Sequence, residues 1–196
     1  MIAELWAFSG LMLMGQFSPG PDMLILTRTS LAEGPKTGCL MASGIATGLV
    51  VHSILAISGV AVVFSRGGSA ALVIKWLAAA YLLWLAYGLF QKSDEDEEVV
   101  VPKGSPYLRG LFCNLLNPKA FVFFVSVVSP FLLGDHPVWW PYALGLIVVG
   151  QALVFWSLWV WLLQNAKVRE GYLRSGPVID LVFALALIGL SVSLVV

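Results

Sequence analysis

The sequence predicts an all-α polytopic membrane protein: six transmembrane helices in two inverted three-helix halves, with a Pro-broken first helix in each half. Three observations carry this prediction. First, 59% of the 196 residues are hydrophobic and only 11% are charged, with a mean hydropathy of +0.91. Soluble domains average about 45–50% apolar and about 25% charged residues. Eleven cations and eleven anions cannot cover a water-facing surface of this size, which excludes soluble and disordered classes. Second, the apolar residues form continuous runs, whereas a membrane barrel alternates apolar and polar residues in segments of about ten. Third, a proline-centred interruption recurs at corresponding places in the two halves.

A span needs about 20 apolar residues, and the runs that satisfy this lie near 4–26, 39–65, 70–90, 108–133, 138–163 and 177–196. The opening MIAELWAFSG has Glu4 and no Lys or Arg ahead of the first run. A signal peptide carries a positive region there, so the first run is expected to stay as a span. Connections are short except for 91–107, QKSDEDEEVVVPKGSPY, whose acids and prolines mark a solvated hinge. The chain is expected to be one membrane domain, residues 1–196, with halves at about 1–90 and 108–196.

Lys and Arg in the loops set orientation. Arg28, Lys36, Lys92, Lys103, Arg109, Lys167, Arg169 and Arg174 fall in the first, third and fifth connections, and Arg66 alone in the others. The odd-numbered loops are therefore expected in the cytoplasm and both termini outside. Trp139, Trp140 and Tyr142 outside, with Tyr87, Trp159 and Trp161 inside, fit interfacial aromatic belts. Lys75, near the outer end of span three, is expected to snorkel. Zero net charge leaves no basic footprint for nucleic acid. Cys39 and Cys113 lie far apart, with neither metal-site nor disulfide-framework spacing.

The two interruptions are Ser18-Pro19-Gly20-Pro21-Asp22 and Asn117-Pro118-Lys119. Three spans per half make the halves antiparallel, and paired Pro-interrupted segments in such halves point to a transporter's substrate site. Proline removes a backbone donor and clashes with the preceding turn. The freed backbone groups survive in a bilayer only where they line a cavity or find other partners. Pro21 lies late in its span and Pro118 early, so both breaks are expected toward the cytoplasmic side.

At these residues the chain resembles the LysE/RhtB family of bacterial amino-acid exporters, the lysine and threonine/homoserine efflux type. The likeness runs through Pro19-Gly20-Pro21-Asp22, the glycines at 34, 38, 44 and 48, and Lys75-Trp76-Leu77-Ala78-Ala79-Ala80-Tyr81-Leu82. It continues through Gly110 to Lys119 and Ser129-Pro130-Phe131. Ala78 stands where the family usually has Gly. The resemblance implies efflux of a small amino acid or derivative across the bacterial inner membrane, driven by the proton gradient. It implies no cofactor and no enzymatic activity; lipid surrounds the bundle, and a homodimer is compatible with it.

Charged residues in a span suggest function by default. Asp22 follows a helix break, where it would hold a substrate ammonium or carry a coupling proton. Lys119 would receive the substrate carboxylate or neutralise Asp22. Asn114 and Asn117 are three apart, on one helical face, and would line the same cavity. His52, one turn past Gly48, is a candidate proton relay, though a packing role suits it better. The Gly34/Gly38 and Gly44/Gly48 pairs are small-xxx-small packing patterns. Asp180 suits the N-terminus of span six. Cation efflux is an alternative, but it needs several carboxylate, His or thiolate ligands on one cavity, and Lys119 would repel a cation. A thiol-disulfide relay is another; it needs thiols beside the breaks, and neither cysteine adjoins them in sequence.

The loop charges make topology testable. A reporter active only in the cytoplasm, fused after Val196, is expected to be silent; strong activity would show that one of the six spans does not cross.

Overall fold

The computed structural model describes residues 1–18, 20–65, 69–90, 104–132 and 135–195. These form eight helices and no strand: α1 (Ile2–Phe17), α2 (Pro21–Glu33), α3 (Pro35–Ser65), α4 (Ser69–Phe90), α5 (Pro106–Leu116), α6 (Pro118–Phe131), α7 (Trp140–Leu162) and α8 (Ala166–Val195). Proline opens α2, α3, α5 and α6, and follows the first residue of α7. Its fixed φ suits a helix start, and its missing N–H has no intrahelical acceptor there.

Both interrupted segments are broken helices rather than kinked ones. The residue before a proline is driven out of the α region, and both Gly20 (φ 178°, ψ 177°) and Asn117 (φ −79°, ψ 102°) are extended. With 16 residues, α1 rises about 24 Å, and the 14-residue α6 about 21 Å. Both fall short of a hydrocarbon core of about 30 Å. By length and apolarity alone, Pro35–Gly59 and Trp140–Leu162 qualify as spans, and α8 qualifies as a pair bent by 48° between Tyr172 and Pro177.

Several expected boundaries shift. The connection expected over 27–38 is a single residue, because α2 continues to Glu33 and α3 begins at Pro35. Only Gly34 intervenes, at φ +88°, a left-handed conformation that glycine adopts without a Cβ clash. The first break consequently lies near the middle of its element, not late in it. Gly34 is thus a turn rather than a packing residue, while Gly38 packs on Ser30 and Val160. Residues 166–176, expected as loop, begin α8, so Pro177 and Asp180 lie inside a helix and not at its start. Trp140 and Trp159 are buried, unlike the exposed Trp139, Tyr142, Tyr87 and Trp161. The two indoles donate to Phe131 O and Thr27 Oγ1, so they belong to the core and not to a belt. The hinge at 91–103, Arg66, Pro19 and the side chains of Lys75, Lys119 and Asp180 lie outside the described residues.

The centre of the bundle is α3, which packs on α2, α5, α6 and α7, while α4 packs on α8 and α6. Glycine makes the α3–α5 approach possible. A Cβ on Gly44 would strike the Tyr107 carbonyl oxygen, one on Gly110 the Met41 carbonyl oxygen, and one on Gly48 the Asn114 side chain. At the end of this seam, Arg109 is not a free loop cation. It lies buried in the first turn of α5 and forks onto the Glu33 carboxylate at 2.8 and 2.9 Å.

Gly44→Ala is expected to destabilise the bundle by about 1–3 kcal/mol, as overpacking does, because the obstruction is backbone and cannot swing away. Gly150→Ala, with open space around it, should be neutral or stabilising by up to ~1 kcal/mol from helix propensity. Thermal unfolding of the detergent-solubilised variants checks both.

Candidate functional site

The two breaks meet. Asp22, in the first turn of α2, receives Asn114 Nδ2 at 2.8 Å on one carboxylate oxygen and Cys113 Sγ at 3.3 Å on the other. Asn114 is fully buried in the last turn of α5, whereas Asn117 caps α6, its Oδ1 accepting the Ala120 N–H at 3.2 Å. The two asparagines therefore serve one cavity from opposite sides of a helix break, not from a common face. Capping fixes Asn117 because the first N–H groups of a helix have no intrahelical acceptor.

Backbone carbonyls released at the breaks are taken up by other helices. On α3, His52 Nε2 lies 3.1 Å from Asn114 O, which also accepts the Asn117 N–H. At the other break, the Trp156 indole of α7 donates to Gln16 O at 3.2 Å and the Tyr172 hydroxyl of α8 to Phe17 O at 3.3 Å. Bonded to a carbonyl, His52 Nε2 must carry the hydrogen; Nδ1 is buried with no hydrogen-bond partner among the described residues. His52 contacts the peptide that positions Asn114 and makes no direct hydrogen bond to Asp22. Its observed role is to hold the break.

A cleft opens between the breaks, lined by residues of α1, α2, α3, α5, α6, α7 and α8. Gly20, Pro21, Asp22, Asn114 and Asn117 all border it, as do Ser18, which opens the first interruption, and Gln16, which no motif singled out. Three side-chain oxygens of these residues, Gln16 Oε1, Ser18 Oγ and Asn114 Oδ1, are fully enclosed and have no hydrogen-bond partner among the described residues. Buried polar atoms are normally paired. The first turns of α2 and α6, the positive ends of two helix dipoles, border the same space.

Cys113 is the main surprise. Sequence distance from the Pro-Gly-Pro-Asp element placed it away from the breaks, yet it touches Asp22, because the α3–α5 glycine seam draws α5 into the bundle beside α2. Both cysteines are free. Among the described residues no three His, Cys, Asp or Glu side chains gather as a metal site.

Paired short helices around a cleft with a polar end and an apolar wall are an arrangement suited to a membrane transporter. The LysE type translocator family matches residues 13–196, and the chain belongs to that family; it is a transporter, not an enzyme. It is similar to the threonine efflux protein of Escherichia coli (strain K12), 28% identical over 174 residues, 83% of each chain. It is also similar to the homoserine/homoserine lactone efflux protein of Salmonella typhi, 30% identical over 124 residues, 61% of this chain and 60% of that one. A third relative, the uncharacterized membrane protein YrhP of Bacillus subtilis (strain 168), is 31% identical over 127 residues, 58% of this chain and 60% of its own length. No solved structure matches.

The carbonyl contacts differ in how much they carry. Trp156→Phe leaves Gln16 O without its indole donor and is expected to cost about 1–3 kcal/mol. His52→Phe leaves Asn114 O its Asn117 N–H and should cost about 0.5–1.5 kcal/mol, the net worth of one bond. Denaturant unfolding of the two variants compares them.

Proposed function

We propose that the chain exports an amino acid or small derivative across the bacterial inner membrane, driven by the proton gradient. The observation that carries this reading is the cleft between the breaks, where Asp22 borders space flanked by the first turns of α2 and α6. An acid beside two helix N-termini is the complement of a zwitterion. The ammonium group is held by Asp22. The carboxylate lies at the N-terminal turn of α6, where half-helix ends favour anionic substrate groups, with Lys119 as a further partner. The named activities of the threonine and homoserine efflux relatives support an amino acid as the cargo.

In this reading α1–α2, α3, α4, α5–α6, α7 and α8 are the six spans, and the halves at 1–90 and 108–196 rock about the cleft. The contacts support a two-fold arrangement: α3 meets the broken α5–α6 pair, α7 meets the broken α1–α2 pair, and α4 meets α8. Asp22 is the coupling residue. It binds either a proton or the substrate ammonium, so influx of one accompanies efflux of the other. The loops at 27–38, 91–107 and 164–176 face the cytoplasm and both termini face outward. Exposed apolar side chains such as Trp6, Trp84, Leu146 and Leu185 face lipid.

Amino-acid profiling of medium from cells with and without the protein should show one or a few amino acids accumulating outside. Asp22→Asn should abolish that accumulation while the protein stays folded and membrane-inserted. Pro21→Ala and Pro118→Ala should each reduce export more than they lower the melting temperature. Normal export by all three variants would overturn the broken-helix site.

A further inference from the structure

We infer that the exported amino acid has an apolar side chain, rather than a hydroxylated or cationic one. The inference rests on the exporter reading and deepens it. Polar groups in the cleft are confined to the breaks: Gln16, Ser18, Asp22, Asn114 and Asn117. The zwitterionic end of the substrate belongs there, its ammonium at the Asp22 carboxylate and its carboxylate at the start of α6. About one turn from the breaks the wall turns to carbon and sulfur. Met12 comes from α1, Phe123 and Phe124 from α6, Trp156 from α7 and Phe183 from α8.

Phe123 and Phe183 meet edge to face, with centroids 5.5 Å apart, and the Trp156 N–H is already committed to Gln16 O. A side-chain hydroxyl or ammonium placed here would lose its water without gaining an acceptor, which is costly for a hydroxyl and more so for a charge. An aliphatic or thioether side chain gains burial and contact with polarizable ring faces. Gly15 lets the Phe123 ring seat against α1: a Cβ there would run into that ring and come within 3.3 Å of Phe183 Cζ, so a larger residue at 15 would displace the ring.

The test is counterflow in proteoliposomes holding the purified wild-type protein, with labelled leucine, methionine, alanine, threonine, homoserine and lysine. Thermal protection of the wild type by the same six compounds is measured in parallel. Leucine and methionine should exchange at least tenfold faster than threonine and homoserine, with lysine at background, and should protect most. Gly15→Ala displaces the Phe123 ring that lines the cleft and should lower the leucine-to-alanine ratio at least tenfold; one methylene in an apolar pocket is worth roughly 10–200-fold. Faster exchange of threonine, homoserine or lysine than of leucine would overturn the apolar subsite and leave the exporter reading standing. Exchange of and protection by none of the six would overturn both. Should Gly15→Ala fail to fold, the wild-type ranking by exchange and protection decides alone.

Discussion

The structure depends on where two sets of backbone carbonyls go. In a medium without water, a helix cannot stop halfway unless the groups it abandons find partners. Proline forces the stop at Pro21 and Pro118, and three side chains from other helices absorb the consequence: His52 from α3, Trp156 from α7 and Tyr172 from α8. Those bonds fix the helices around the breaks, and the fixed helices create the space between them. The cleft is therefore not a packing defect. It follows from ending two helices inside the bundle and paying for the ends with aromatic and imidazole N–H and O–H groups.

Close helix approach is the second requirement, and glycine meets it. Because Gly44, Gly48 and Gly110 lack Cβ atoms, α3 and α5 touch backbone to backbone, and that contact carries Cys113 and Asn114 to the Asp22 carboxylate. Asp22 is thus held by donors from the other half of the chain. A carboxylate surrounded by neutral donors keeps room to exchange one of them for a charged group, which an aspartate locked in a bidentate Arg pair does not. Glu33 and Arg109 form that locked kind of pair, at the far end of the same α2–α5 contact.

Much of this was legible in the sequence, for stated physical reasons. Continuous apolar runs gave the helical class, and charge next to proline marked both breaks and drew attention to Asp22, Asn114 and Asn117. Periodicity could not show that α2 runs on to Glu33, because Arg28, Thr29 and Ser30 look like loop when hydropathy alone sets the boundary. Nor could it place Cys113 against Asp22, or Gln16, Trp156 and Phe123 in the cleft. Those residues carry no charge and sit in apolar surroundings, so only the folded geometry distinguishes them from ordinary packing. The aromatic belts failed similarly: Trp140 and Trp159 have the position of interface anchors and the hydrogen bonds of core residues.

The glycine seam also bears on how the chain is made. Its two faces lie on opposite sides of the 91–107 connection, so when the ribosome has delivered α1 to α4, the groove on α3 is still empty. Asp22 then waits without Cys113 and Asn114, a carboxylate in the membrane lacking the groups that will hold it. The first half is consequently an incomplete product of translation, and its maturation is tied to the arrival of α5. Separately synthesised halves would each emerge with an open groove or an unclaimed helix. Their association would be driven by the same backbone contact that a single extra methyl group on Gly44 obstructs.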